Sequence, residues 1–76
     1  MKITEFDYGK LRGKIREFGT QEKFAEAIGI SAVTLSERLN NKSQFTQKEI
    51  NKSVDVLKIS AEEIPTYFFA EKVKEA

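Results

Sequence analysis

The chain has 76 residues, no cysteine, no histidine and a net charge of +1. That composition excludes disulfides, thiolate or His-based zinc sites, and any Ser-His-Asp or Cys-His catalytic pair. It allows one small domain, in which about 60 % of the unfolded surface can be buried.

The first predicted helix follows Asp7, an N-cap residue, with Phe6 able to staple onto Leu11. Tyr8, Leu11, Ile15 and Phe18 form its apolar stripe, and Gly19 ends it. Gly9 and Gly13 lie four apart on one face and cost about 1 kcal/mol each relative to alanine. Close approach of another helix or a phosphate accounts for them as well as simple tolerance does. Thr20 then caps a second helix, Gln21 to Ile28, with Phe24, Ala25 and Ile28 on one face. Gly29 stops it, because glycine takes the left-handed conformation cheaply. Ile30 points inward, and Ser31 caps a third helix, Ala32 to Leu39. A connection this short joins two helices at a steep angle in DNA-binding proteins.

A capping box at Thr46 and Glu49 starts the fourth helix, with Phe45 and Ile50 as staple and Ile50, Val54 and Leu57 as its apolar face. A second box at Ser60 and Glu63, with Ile59 and Ile64 as staple, starts a fifth helix that Pro65 keeps short. Tyr67, Phe68 and Phe69 cannot all face one side of a helix. One or two rings are expected in the core and one at a partner or dimer surface. Residues 71–76, EKVKEA, read as a frayed end. The whole predicts an all-α fold, a compact five-helix bundle forming one domain over 1–76.

The run TQEKFAEAIGISAVTLSERLNNK (20–42) resembles the helix-turn-helix of the Cro/repressor family of phage and bacterial regulators. The matching residues are Gln21, Ala25, Gly29, Ser31, the triplet Thr34, Leu35 and Ser36, and the closing Asn40 and Lys42. Asn41 stands where that family usually has glycine, and asparagine tolerates positive φ. Arg38 stands where many members carry a large apolar residue, which Leu39 can replace. The wider pattern, FDYGKLRGKI (6–15), TLSERLNNKSQFTQKEI (34–50) and EIPTYFF (63–69), is similar to short regulators of lysogenic phages and prophages. The resemblance implies a lambda-repressor-like DNA-binding domain acting on double-stranded DNA, as a dimer on paired half-sites.

In that reading the third helix meets base edges through Ser31, Ala32, Val33, Thr34, Glu37 and Arg38. Ala32, Val33 and the Thr34 methyl suit thymine methyl groups, and the Ser31 and Thr34 hydroxyls can pair with several bases. Glu37 can accept from a cytosine amino group or pair with a neighbour. Arg38 reaches guanine or a phosphate, or else covers Leu39 or Leu35 with its stem. Thr20 and Gln21 present a helix N-terminus that can dock a phosphate. By resemblance these two, with Asn40 and Lys42, are phosphate contacts. Charge supports this modestly: residues 8–44 carry seven Lys/Arg against four acids.

Catalysis has no foothold in the sequence. Glu62 and Glu63 are explained by cap chemistry, and no Gly-rich phosphate loop or nucleophile–base pair occurs. No cofactor, metal or small-molecule ligand is expected. The N-terminus lacks an apolar run of signal-peptide length, and no stretch nears the ~20 apolar residues of a membrane span. A protein of the bacterial cytoplasm, without membrane contact, is expected. The leading function is a phage or prophage regulator that binds operator DNA. The rival is a partner-binding regulator, an antirepressor or modulator of repression, that keeps the fold and binds a phage repressor. The low net charge and the weakly basic third helix favour the rival.

Overall fold

A computed structural model describes residues 2–75, with side chains over 5–72. The order is β1 (Lys2–Phe6), α1 (Gly9–Phe18), α2 (Gln21–Ile28), α3 (Ala32–Leu39), α4 (Gln47–Leu57), a 3-10 turn (Ala61–Glu63), α5 (Ile64–Phe68) and β2 (Glu71–Glu75). The molecule is mostly helical, and its two ends pair as an antiparallel ribbon. Lys2 lies opposite Glu75 and Phe6 opposite Glu71. The five helices of the expected bundle are present, and the two-stranded ribbon is an addition to it. The end expected to be frayed at 71–76 is strand β2 over residues 71–75; Ala76 lies outside the described residues.

The helix ends follow local chemistry. Thr20 Oγ1 accepts the Lys23 N–H at 3.1 Å, and Ser31 Oγ accepts the Thr34 N–H at 3.0 Å. Gly29 has φ 82°, and the Ile30 N–H reaches back to the Ala25 carbonyl at 2.9 Å. The Thr46–Glu49 box closes in both directions, at 3.1 Å each. Asp7 works one residue further out than expected: α1 is capped at Tyr8, and the Asp7 carboxylate accepts the Gly9 N–H at 2.9 Å. Pro65 sits in the first turn of α5, where its missing N–H costs nothing, so it starts that helix rather than limiting it.

The core is built from Leu11 and Ile15 of α1, Phe24, Ala25 and Ile28 of α2, Leu35 and Leu39 of α3, and Leu57, Ile59, Tyr8 and Phe68 around them. Phe18, expected in the α1 stripe, is 44 % exposed, with its ring edge-on to Phe24. α4 is turned from its expected face. Glu49, Ser53 and Leu57 are buried, whereas Ile50 and Val54 are half-buried. Both polar residues are satisfied: the Ser53 hydroxyl donates to the Glu49 carbonyl at 2.7 Å, and Glu49 pairs with Arg38. A buried polar group with its partners carries little of the usual penalty. The two glycines of α1 differ. A Cβ at Gly9 would meet Asp7 Oδ1 at 3.1 Å, whereas a Cβ at Gly13 would meet nothing within 4 Å.

Candidate functional site

Two surfaces hold the residues singled out in the sequence. The first is α3 with the start of α2. Ser31, Ala32, Val33 and Glu37 are exposed, and Thr34 is half-buried. Val33 stands out at 70 % exposure, as a residue on the outer side of a first turn should. Thr20, Gln21, Asn40 and Lys42 are exposed as well. The Ser31 hydroxyl donates to Thr34 Oγ1 at 2.9 Å, so both hydroxyls are engaged within the cap.

Arg38 is placed elsewhere. Its Nε donates to Glu49 Oε1 at 2.9 Å, Nη2 to Glu49 Oε2 at 3.2 Å and Nη1 to Ser43 Oγ at 2.5 Å. The guanidinium lies between α3 and α4, with the side chain 17 % exposed. All three of its nitrogens are therefore engaged within the chain. The sequence offered a guanine or phosphate contact, or a stem over Leu35 or Leu39; in the structure the guanidinium head is held in an ion pair with Glu49. The Arg38 hydrogen bond holds the Glu49 carboxyl below the usual carboxylate range against an opposing push from burial, and the Thr46 N–H adds to it. The same pairing raises the Arg38 pKa further.

Asn40 is also engaged inside the chain. Its Nδ2 donates to the Ser36 carbonyl at 2.9 Å, and its Oδ1 accepts from Arg12 Nη2 at 3.1 Å. Arg12 Nη2 also donates to the Leu39 carbonyl at 3.1 Å, which satisfies a free carbonyl at the end of α3. With Arg38 paired, the exposed charged side chains of α2 and α3 are Glu22, Glu26 and Glu37 against Lys23. This balance is the reverse of a phosphate-binding face.

The second surface is aromatic. Phe68 is 2 % exposed, Tyr67 is half-buried and Phe69 is 50 % exposed. Phe69 stands edge-on to Phe6 at 6.1 Å, Phe6 neighbours Tyr8 at 6.1 Å, Tyr8 meets Phe45 at 5.4 Å and Phe45 meets Phe68 at 5.4 Å. The half-exposed ring thus ends a chain of aromatic contacts that runs into the core. Burial raises the Tyr8 pKa above its ordinary value.

Sequence reasoning missed Arg12, Glu49 as an ion-pair partner, and Asn41 as a clasp. Asn41 has φ 61°, as its place in the sequence suggested, and its carboxamide does more than tolerate that angle. It accepts the Phe6 N–H at 3.0 Å and donates to the Phe6 carbonyl at 2.9 Å. The only signal for Glu49 was its cap role, which accounts for the residue by itself. Among the described residues no His, Cys, Asp and Glu group is arranged to hold a metal ion, and no helix is long and apolar enough to cross a membrane.

Residues 4–71 match the family described as "Protein of unknown function (DUF739)", and the chain belongs to that family. It is also similar to a particular solved protein, the modulator of repression (MOR) of the temperate bacteriophage TP901-1 from Lactococcus lactis, known from a solution structure. The identity is 48 %, over 84 % of this chain and 88 % of that one, with a TM-score of 0.72. None of the curated proteins matches. These findings fit a phage regulator, without singling out the Cro type.

Proposed function

We propose that this chain is a phage regulator that acts on a repressor protein, as a modulator of repression, rather than by binding operator DNA itself. The observation that carries this reading is the 48 % identity to the TP901-1 modulator over most of both chains. The geometry of α3 supports it: the one strong cation of that helix is tied to Glu49, and carboxylates predominate on the exposed side chains of α2 and α3. The partner surface is the half-exposed ring of Phe69, set against Phe6, with the half-buried Tyr67 two residues before it. The protein works as a binding module in the bacterial cytoplasm, with no catalytic residue, cofactor or metal.

The DNA-binding reading has one specific observation in its favour. The α2–Gly29–Ser31–α3 unit is fully capped, and Ala32 and Val33 stand exposed at the first turn of α3. In that reading Thr20, Gln21, Asn40 and Lys42 meet phosphates, and a homodimer is formed through Phe69. Calorimetry separates the two. The repressor encoded by the same phage genome is titrated with wild type, Phe69→Ser and Val33→Glu, and so is duplex DNA from the switch region. Repressor binding that Phe69→Ser abolishes supports the proposal. Sequence-specific DNA binding lost only in Val33→Glu, with no repressor binding, would reverse it.

A further inference from the structure

The end of β1 is held by a side chain from a distant turn. In an antiparallel ladder, alternate residues turn their N–H and C=O groups away from the paired strand, and an edge strand leaves those groups unpaired. The Asp7 N–H goes toward the β2 side, to the Ala70 carbonyl at 2.6 Å. Both backbone groups of Phe6 go the other way, to the carboxamide of Asn41. That carboxamide offers one acceptor and one donor, as a strand edge would. The two residues are 35 apart in sequence. Asn41 takes a left-handed conformation, φ 61°, which glycine adopts more cheaply. Glycine at this place would have the backbone geometry but no carboxamide.

Phe6 carries the consequence outward, because its ring is the edge-on neighbour of Phe69 at 6.1 Å. We infer that Asn41 is a positioning residue: by clasping the backbone of Phe6 it fixes the ring against which the half-exposed Phe69 is set. The inference rests on the reading of Phe69 as partner surface only for its functional meaning, since the positioning itself is measurable without a partner. It also gives the turn after α3 a role in the aromatic surface, with Arg12 holding that turn from the α1 side.

The test uses the full chain with Asn41→Gly, which keeps the favoured φ and deletes both hydrogen bonds, and Asn41→Asp, which keeps the acceptor and loses the donor. Amide exchange and ring-to-ring NOEs are followed by NMR. In Asn41→Gly the Phe6 amide should exchange about tenfold faster or more. Core amides such as Leu35 should keep their protection, and the Phe6–Phe69 NOEs should be lost. Asn41→Asp should lose the Phe6–Phe69 NOEs as well, because a carboxylate oxygen then faces the Phe6 carbonyl in place of the donor. A uniform rise in exchange across all amides, or an unchanged Phe6–Phe69 contact, overturns the inference. Calorimetry against the same phage's repressor adds the functional arm. Weaker binding in Asn41→Gly, with no further loss on adding Phe69→Ala, supports the positioning role. Displaced rings with unchanged repressor affinity leave the positioning supported and overturn the assignment of Phe69 to the partner surface.

Discussion

Arg38 and Glu49 are joined across the α3–α4 junction by a two-pronged ion pair, Nε to Oε1 at 2.9 Å and Nη2 to Oε2 at 3.2 Å. The pair accounts for two features together: a charged residue at position 38, where many of the Cro-type regulators that this stretch resembles carry an apolar one, and a helix α4 that buries Glu49. It also removes the strongest positive charge from α3.

Glu49→Gln is predicted to destabilise the fold by on the order of 2 kcal/mol, the scale of a hydrogen bond to a charged group. The pH dependence has a definite sign. The Glu49 carboxyl lies below its usual value of 4.5 in the folded state, so its contribution is present above that value and fades as pH falls through the lower folded value. Thermal melts from pH 7 down to about 3 check this: wild type should lose stability more steeply than Glu49→Gln at the acid end.

Gly13→Ala is predicted to stabilise the protein by roughly 0.5–1 kcal/mol, because alanine favours the helix by about that amount and a Cβ meets nothing within 4 Å. Chemical denaturation measures it. A loss of stability would show that this face of α1 is more crowded than its surroundings indicate.

Much of the helical framework was legible because its signals are local. Thr20, Gly29, Ser31 and the Thr46–Glu49 box each act within a few residues of where they stand, and α2, α3 and α4 begin, and α2 ends, accordingly. The ribbon was illegible for the opposite reason. EKVKE is a polar segment with one apolar residue, and its strand character comes from pairing with residues 2–6 at the far end of the chain. The Asn41–Phe6 clasp and the Arg12–Asn40 bond are likewise long-range. In the candidate site, Ala32, Val33 and Thr34 were expected to be exposed from their place at the first turn of α3; Ala32 and Val33 are, and Thr34 is half-buried. The inward turn of Arg38 depended on a carboxylate eleven residues away whose cap role already accounted for it.

Ala25→Lys and Leu35→Asp are both predicted to unfold the domain. Ala25 is 1 % exposed and Leu35 is 0 % exposed. An unpaired buried charge costs several kcal/mol against a total of about 5–15 kcal/mol. Loss of the helical circular dichroism signal at 25 °C is the expected result, and a melt close to wild type would misplace the core.

Phe68→Ala and Phe69→Ser should behave oppositely. Truncating the buried Phe68 should cost roughly 3–5 kcal/mol, with Phe45 losing its edge-on partner. Phe69 is half exposed, so its replacement should cost under about 1 kcal/mol and act on binding instead. Melting and repressor binding measured on the same samples separate the two effects.

The central claim is tested most directly by a gel-shift titration on a preformed repressor–operator complex from the same phage, with this chain as titrant and a parallel titration on free operator. The account predicts that the chain changes the mobility or amount of the repressor–operator complex and produces no shift of its own on free operator at moderate salt. A sequence-specific shift of free operator by this chain alone, with the repressor–operator complex unaffected, would contradict it.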